Sequence, residues 1–339
     1  MTSRRMFLTG LASLPVSTVA RAETAAANIG SITRLSPALD GIIAPAASIS
    51  LLAKGFRWAE GPVWVPRDNG LLFNDPPSNV LYRWRAEGGA RPLLSPSGLQ
   101  GVVPPGIREA GLNGLALDAA GALIAADSGT RAIVRVDPRT GKRTILADRF
   151  EGKRFNSPND LCVAPSGMIY FTDPPYGLTD GDTSSLRELD YSGLYALGPD
   201  GKLTLLDRSH RRPNGVAVSP DGRTLYLALS DERQPEVHAY ALDAHGLATG
   251  QRLFYDMRVH REKGLPGLPD GIKVAPDGHV FATGPGGVHI LTAQGQALGL
   301  ASTGKTVANC CFDLGGRRLF MTSSDMLAVL PLNPAWLSA

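Results

Sequence analysis

The sequence has little of what most protein chemistry draws on. It holds 3 cysteines and 6 histidines in 339 residues. Cys162, Cys310 and Cys311 make no disulfide framework, and each falls in a predicted strand, where a small buried thiol is ordinary. Whether the neighbours Cys310 and Cys311 are oxidised stays open. None of the histidines (210, 238, 245, 260, 279, 289) pairs with a serine in a nucleophile elbow, and no G-x-S-x-G stretch exists. His238 and His289 fall in strands and read as packing residues. A phosphate-binding P-loop and a dinucleotide fingerprint are also missing. Neither sign of charge is in excess: without residues 1–22, which carry three arginines and no acid, 31 basic residues face 31 acidic ones. That balance excludes a nucleic-acid partner recognised by net charge.

What is abundant is turn chemistry. Gly 39 and Pro 26 leave no room for long helices. The apolar runs are short, rich in β-formers and bounded by Gly, Pro, Asp and Asn, so the fold class is all-β. Residues 1–22 read as a twin-arginine signal: Ser3-Arg4-Arg5-Met6-Phe7-Leu8, a mildly apolar stretch to Ala20, and an Ala20-Arg21-Ala22 cleavage site. The expected location is a bacterial periplasm, reached by folded export. No membrane anchor is expected after cleavage, since no apolar run is long enough to span. Residues 23–45 read as a flexible Ala-rich arm without a role, and 46–339 as the folded domain.

Internal repetition organises that domain. Six segments begin with a residue bearing a side-chain oxygen and continue as a short apolar strand. They start at Glu60, Asn113, Asn159, Asn214, Asp270 and Asn309, at intervals of 39–56 residues. Each is followed by a turn and a second strand (Leu71–Asn74, Ala122–Ala126, Met168–Thr172, Thr224–Leu229, His279–Thr283, Arg318–Thr322). The turns, Pro-Asp-Gly among them, have the residues hairpins demand. A third strand is readable in all six units and a fourth in five. The sixth unit runs out of chain, and a spare strand, Ala47–Leu52, precedes the first. The pattern predicts a six-bladed β-propeller whose ring is closed by an N-terminal strand completing the last blade.

In a propeller the first strand of each blade lines the axis, so the six leading residues are expected at one height around it. Asn-Gly and Asp-Gly are ordinary turn dipeptides taken singly, but six side-chain oxygens in register exceed what turns need. Two carboxylates with amide oxygens and waters suit a hard divalent cation such as Ca²⁺. The ring contains no His or Cys, which argues against a dedicated zinc or copper site, while Mn²⁺, Mg²⁺ or Zn²⁺ stay open. Asp75, Asp127 and Asp173, just past second strands, are expected around the channel mouth, with Tyr176 as a pocket wall and Arg154 facing the same mouth.

These residues resemble the SMP-30/gluconolactonase/luciferin-regenerating family. The matching stretches are Ala59-Glu60-Gly61-Pro62-Val63-Trp64, Phe155-Asn156-Ser157-Pro158-Asn159-Asp160, Arg212-Pro213-Asn214-Gly215, Leu268-Pro269-Asp270-Gly271 and Asn309-Cys310-Cys311-Phe312. The resemblance runs from about Gly55 to Leu330 and identifies a bacterial exported member. It implies a six-bladed propeller that hydrolyses sugar lactones or related esters with a divalent metal, often Ca²⁺. It also implies Glu60, Asn214 and Asp270 as metal ligands, Asn159 as a fourth ligand or substrate contact, and Asp270 as general base. Asn113, Asp127, Asp173, Tyr176, Arg154 and Asn309 are the further candidates for contact with a small-molecule substrate.

The mechanism expected from this set is water attack on a lactone carbonyl polarised by the cation, with Asp270 taking the proton and Asn159 holding the carbonyl or ring oxygen. A carboxylate on a dication is a poor base, so the metal and Asp270 sharing the task stays open. Two rivals stand beside it. One is a phosphotriesterase-like or other ester hydrolase on the same site. The other is a non-catalytic periplasmic binding propeller with a structural ion. The particular lactone, the native metal and the oligomeric state are not legible.

Overall fold

The computed structural model describes residues 27–338, so the signal expected over 1–22 lies outside the described residues. Six antiparallel sheets of at least four strands surround one axis. Their innermost strands, for blades I to VI, are Glu60–Val65, Leu112–Leu117, Leu161–Val163, Pro213–Val218, Ile272–Val274 and Val307–Phe312. Successive innermost strands touch, and Val307–Phe312 touches Glu60–Val65, so the ring is closed. Among the described residues no helix is long and apolar enough to cross a membrane.

Local sequence explains the blades. The second strands of blades II and III, Leu123–Asp127 and Ile169–Asp173, are buried at every residue because each is covered by a neighbouring blade on both faces. They therefore read as continuous apolar runs rather than alternating ones. Aspartates end strands by accepting turn N–H groups. Asp118 Oδ1 takes those of Ala120 (3.0 Å) and Ala122 (2.8 Å), and Asp243 Oδ1 those of His245 (2.9 Å) and Leu247 (2.8 Å). These bonds fix the hairpin registers.

Blade VI is completed by Ile49–Lys54, which pairs antiparallel with Met326–Pro331, Ser50 opposite Val329. The closing strand is the expected one, beginning two residues later than Ala47–Leu52. The arm read over 23–45 is, in its described part, no free tail. Asn28–Ile29 pairs with the closing strand, and Ser31–Arg34 adds a fifth strand to blade V through Ala297–Ser302. A 3₁₀ turn, Pro37–Gly41, then inserts Leu39, fully buried, into the core between blades V and VI with Ile42 and Ile43. Arg34 holds this turn by bonding Asp40 (2.6 Å) and the carbonyls of Ile43 and Ala44. The Ala-rich composition hid a segment that clasps two outer edges and covers them.

All three cysteines are free thiols. Cys310 and Cys311 are consecutive in an extended strand, so they point to opposite faces. Cys310 packs between blades V and VI, and Cys311 packs with Trp64 and Phe320.

Leu39→Ala tests the clasp. With Leu39 fully buried, the variant is expected to lose about 2–4 kcal/mol, where a residue of a free arm would lose nothing measurable. Chemical denaturation of the purified variant checks this.

Candidate active site on the propeller axis

Each innermost strand begins with an irregularity that aims side chains at the axis. In blade II, Leu112 pairs with Asp127 and Leu115 with Ala125, so Asn113 and Gly114 together oppose Ala126. In blade IV, Asn214 and Gly215 likewise oppose Ala228. Blades III and V repeat the pair in hydrogen bonds: Asn159 N–H to Thr172 O (3.0 Å) and Thr172 N–H to Asp160 O (3.1 Å), then Asp270 N–H to Thr283 O (3.4 Å) and Thr283 N–H to Gly271 O (2.9 Å). Such a two-against-one bulge re-aims side chains out of the sheet. Asn-Gly and Asp-Gly are therefore not turns here. A Cβ on Gly215 would overlap the Asp270 carbonyl oxygen of the next blade, so glycine permits the close approach of blades.

The bulge corrects one expected position. In blade VI, Val307 pairs with Ser323 and Asn309 with Thr322, which makes Ala308–Asn309 the equivalent pair. Interblade bonds agree: Gly114 N–H reaches Asn159 O in blade III, and Gly271 N–H reaches Ala308 O in blade VI, both at 2.8 Å. The first tier is thus Glu60, Asn113, Asn159, Asn214, Asp270 and Ala308. Asn309 sits one tier deeper, level with Asp160. The reading slipped by one residue because Asn309 is the only polar residue in Val307–Phe312.

The five polar members of the first tier line one pocket of about 630 Å³, together with Tyr176. Ser230 ties blade IV to blade V. Its hydroxyl accepts from Asn214 Nδ2 (2.9 Å) and donates to the Pro269 carbonyl (2.5 Å), which fixes both Asn214 and the residue before Asp270. Asn214 Oδ1 is left buried without a partner, as is Glu109 Oε2.

The electrostatics are strained. Burial pushes Glu60 up to about 7, against the pull of the Gly61 N–H it accepts at 2.7 Å, and the charges of Asp160 and Glu109 push the same way. Asp270 is raised well above the usual carboxylate range by burial, then by Glu60, Asp160 and Glu109. Among the described residues no three His, Cys, Asp or Glu side chains form a metal-binding group. A cation here would take the Glu60 and Asp270 carboxylates with amide and water oxygens, and the orphaned Asn214 Oδ1 supplies one amide oxygen. That donor set fits a hard dication.

Four expected substrate contacts do not line this pocket. Asp127, buried, accepts the Thr130 N–H (3.0 Å) and pairs with Arg143 (3.3 Å). Asp173 accepts the N–H groups of Asn156 (2.7 Å) and Ser157 (2.8 Å), and burial pushes it up to about 7. Arg154 donates to the Thr130 carbonyl (2.6 Å), away from the channel mouth. Asn309 lies below the first tier. Asp75 resembles Asp173: it accepts the N–H groups of Arg57 (2.8 Å) and Trp58 (3.3 Å).

The sequence reading missed several wall residues: Arg57, Trp58, Arg108, Glu109, Ser230 and Arg261. Arg108 and Glu109 belong to the loop 95–111, which is tied to blade III by bonds from both N–H groups to the Gly177 carbonyl. The only signal was that this connection is longer than a hairpin requires, a common mark of a functional loop.

Fold and site together define a class, the six-bladed propeller with a carboxylate–amide site on its axis. This chain belongs to the SMP-30/Gluconolactonase/LRE-like family, whose model matches residues 58–325. A gluconolactonase of Zymomonas mobilis is 45% identical over 300 residues, covering 87% of this chain and 84% of its own length. The solved structure of a gluconolactonase from Xanthomonas campestris superposes with a TM-score of 0.79 at 33% identity, over 91% of this chain and 97% of that one. A calcium-binding regucalcin from Agrobacterium tumefaciens shares the fold at 21% identity, with a TM-score of 0.63 over 83% of this chain and 92% of that one.

The raised carboxylates yield a stability prediction. Glu60 takes up its proton near pH 7 when folded and near 4.5 when unfolded, so its contribution is present below about pH 4.5 and is lost as pH rises through 7. Glu60→Gln keeps the shape without the charge. In chelator at pH 8 the variant is expected to melt roughly 2–5 °C above the wild type, with a flatter profile between pH 5 and 8. Thermal scans across that range check it; a variant less stable at pH 8 would show that its surroundings favour the charged form.

Proposed function

We propose that this chain is a divalent-cation-dependent hydrolase of sugar lactones. The observation that carries the reading is the first tier: two carboxylates, Glu60 and Asp270, raised by burial and then by neighbouring acids, beside an unpartnered Asn214 oxygen, on a pocket wide enough for a sugar ring. The names of the relatives, gluconolactonase at 45% and at 33% identity, support the substrate class. The regucalcin described as calcium-binding supports Ca²⁺ as the ion.

Glu60, Asn214 and Asp270 would hold the cation, with Asn159 beside it. A bound dication supplies Lewis acidity to a lactone carbonyl and stabilises the negative charge that grows on its oxygen during attack. The chain's own groups do the rest. The Asn159 amide donates to the carbonyl or ring oxygen and fixes the plane of the ester. Asp270 accepts a proton from the attacking water, and the same proton then serves the departing ring oxygen. Trp58 and Tyr176 on the pocket wall offer flat apolar surface to the sugar ring and exclude water.

Export belongs to the same proposal. Arg4-Arg5 and the Ala20-Arg21-Ala22 site support a periplasmic enzyme that leaves the cytoplasm already folded.

A pH-indicator assay on chelator-stripped protein, with aldonolactones and added Ca²⁺, Mn²⁺ or Zn²⁺, tests the proposal. The expected result is cation-dependent acid release, with kcat/KM falling at least about 100-fold in Glu60→Gln and in Asp270→Asn. Full activity in Asp270→Asn would remove the base role. Stoichiometric cation binding with no lactone turnover would move the assignment to other esters or to a binding protein.

A further inference from the structure

Below the first tier a hydrogen-bond chain crosses the axis. Lys273 Nζ of blade V donates to Asn309 Oδ1 of blade VI at 3.1 Å and to its neighbour's carbonyl, Ile272 O, at 3.1 Å. Asn309 Nδ2 donates at 3.4 Å to Asp160 Oδ2 of blade III, which stands opposite blade VI in the ring. The equivalent second-tier position is glycine in the other four blades. A Cβ on Gly114 would overlap the Asp160 carboxylate and one on Gly271 the Asn309 amide, so the glycines clear the space in which the two side chains meet.

We infer that Lys273 is a built-in counter-ion, a positioning residue that takes up the charge of Asp160 through this bridge and so limits what that carboxylate adds to the cation site above. The inference rests on the cation reading of that site.

Three observations carry it. Asp160 is buried and accepts the Leu161 N–H (2.9 Å), the Val216 N–H and the Asn309 amide, none of which carries a charge, and a buried carboxylate needs a counter-charge as well. Its carboxylate lies next to the site: Asp160 follows the first-tier Asn159 in the same bulge opposite Thr172, one tier below the proposed cation. Finally, blade packing does not ask for a lysine. The positions equivalent to Lys273 are Val63, Ala116, Cys162, Ala217 and Cys311, all uncharged, and an aliphatic chain would fill the space. Burial opposes the ammonium, yet Asp160 holds it above its ordinary value.

The test separates charge from scaffolding by sign. Ca²⁺ binding to the chelator-stripped mature protein is measured by titration calorimetry at pH 8 in the wild type, Lys273→Met, Lys273→Gln, Asp160→Asn and the Lys273→Met/Asp160→Asn pair. If Lys273 neutralises Asp160, removing the ammonium frees a third carboxylate beneath the cation. Lys273→Met and Lys273→Gln then bind Ca²⁺ roughly tenfold more tightly, Asp160→Asn roughly tenfold more weakly, and the double variant returns close to wild type. Lys273→Arg keeps the wild-type affinity. If the bridge is only scaffolding, Lys273→Met and Lys273→Gln weaken binding as Asp160→Asn does, and that result overturns the inference. Lys273→Gln can still donate to Asn309, so it decides the question if Lys273→Met does not fold. Absence of stoichiometric Ca²⁺ binding in the wild type would remove the cation reading, and this inference with it.

Discussion

The structure depends on how closely adjacent blades approach at the axis. The bonds that set this spacing are interblade. Asn74 Nδ2 donates to Asn113 O (2.6 Å), the Thr172 hydroxyl to Asn214 O (2.7 Å) and the Thr283 hydroxyl to Ala308 O (3.1 Å). Each anchors the carbonyl of a first-tier residue in the next blade. The bulge that frees this carbonyl also turns two consecutive side chains inward, and so many side chains cannot all fit around a narrow axis. Glycine in four second-tier positions is the consequence. The first tier becomes a ring of donors around a pocket, and the second keeps only one carboxylate and one amide.

That geometry puts negative charge where water is scarce. Glu60, Glu109, Asp160 and Asp270 are each raised by burial before any neighbour is counted, and Asp160 and Glu109 push Glu60 and Asp270 further up. A sequence selected only for stability would not gather them. The neutralising groups lie on two sides. Arg108 pairs with Glu109 at 3.2 Å near the mouth, and Lys273 serves Asp160 from below. Between them, neither Glu60 nor Asp270 forms an ion pair with a cationic side chain among the described residues. On the proposed reading a dication completes the charge balance, which ties its binding to stability.

The ring, its six blades and its closure by the N-terminal strand were legible because every blade repeats the same turn and strand chemistry, and repetition averages out local ambiguity. Glu60, Asn113, Asn159, Asn214 and Asp270 were legible for the same reason. Where repetition fails, the reading failed with it. The clasp at 28–43 occurs once, and so does the loop bearing Glu109. Asn309 was placed a tier too high because the alignment followed polarity, whereas the ladder follows backbone pairing, and a bulge separates the two by one residue. Asp160 drew no role of its own, since nothing in the sequence says that a residue opposite it, 149 positions away, shares its space.

The acids that end second strands show what such a reading trades away. They were expected around the channel mouth, Asp127 and Asp173 against substrate, and in blades I and III they act on the backbone instead. Asp75 grips the N–H groups three and two residues before Glu60; Asp173 grips those three and two residues before Asn159. The same clamp at the same offset sets the entry of two first-tier residues into their bulges. For Asp173, burial outweighs the two N–H bonds and lifts the carboxyl towards neutrality. A loop could be tied more cheaply by an amide or a hydroxyl. Two short bonds from one rigid acceptor instead hold both N–H groups in one plane, and that fixes the direction from which Glu60 and Asn159 meet the axis. These strand-ending acids therefore contribute to the site through the backbone they orient.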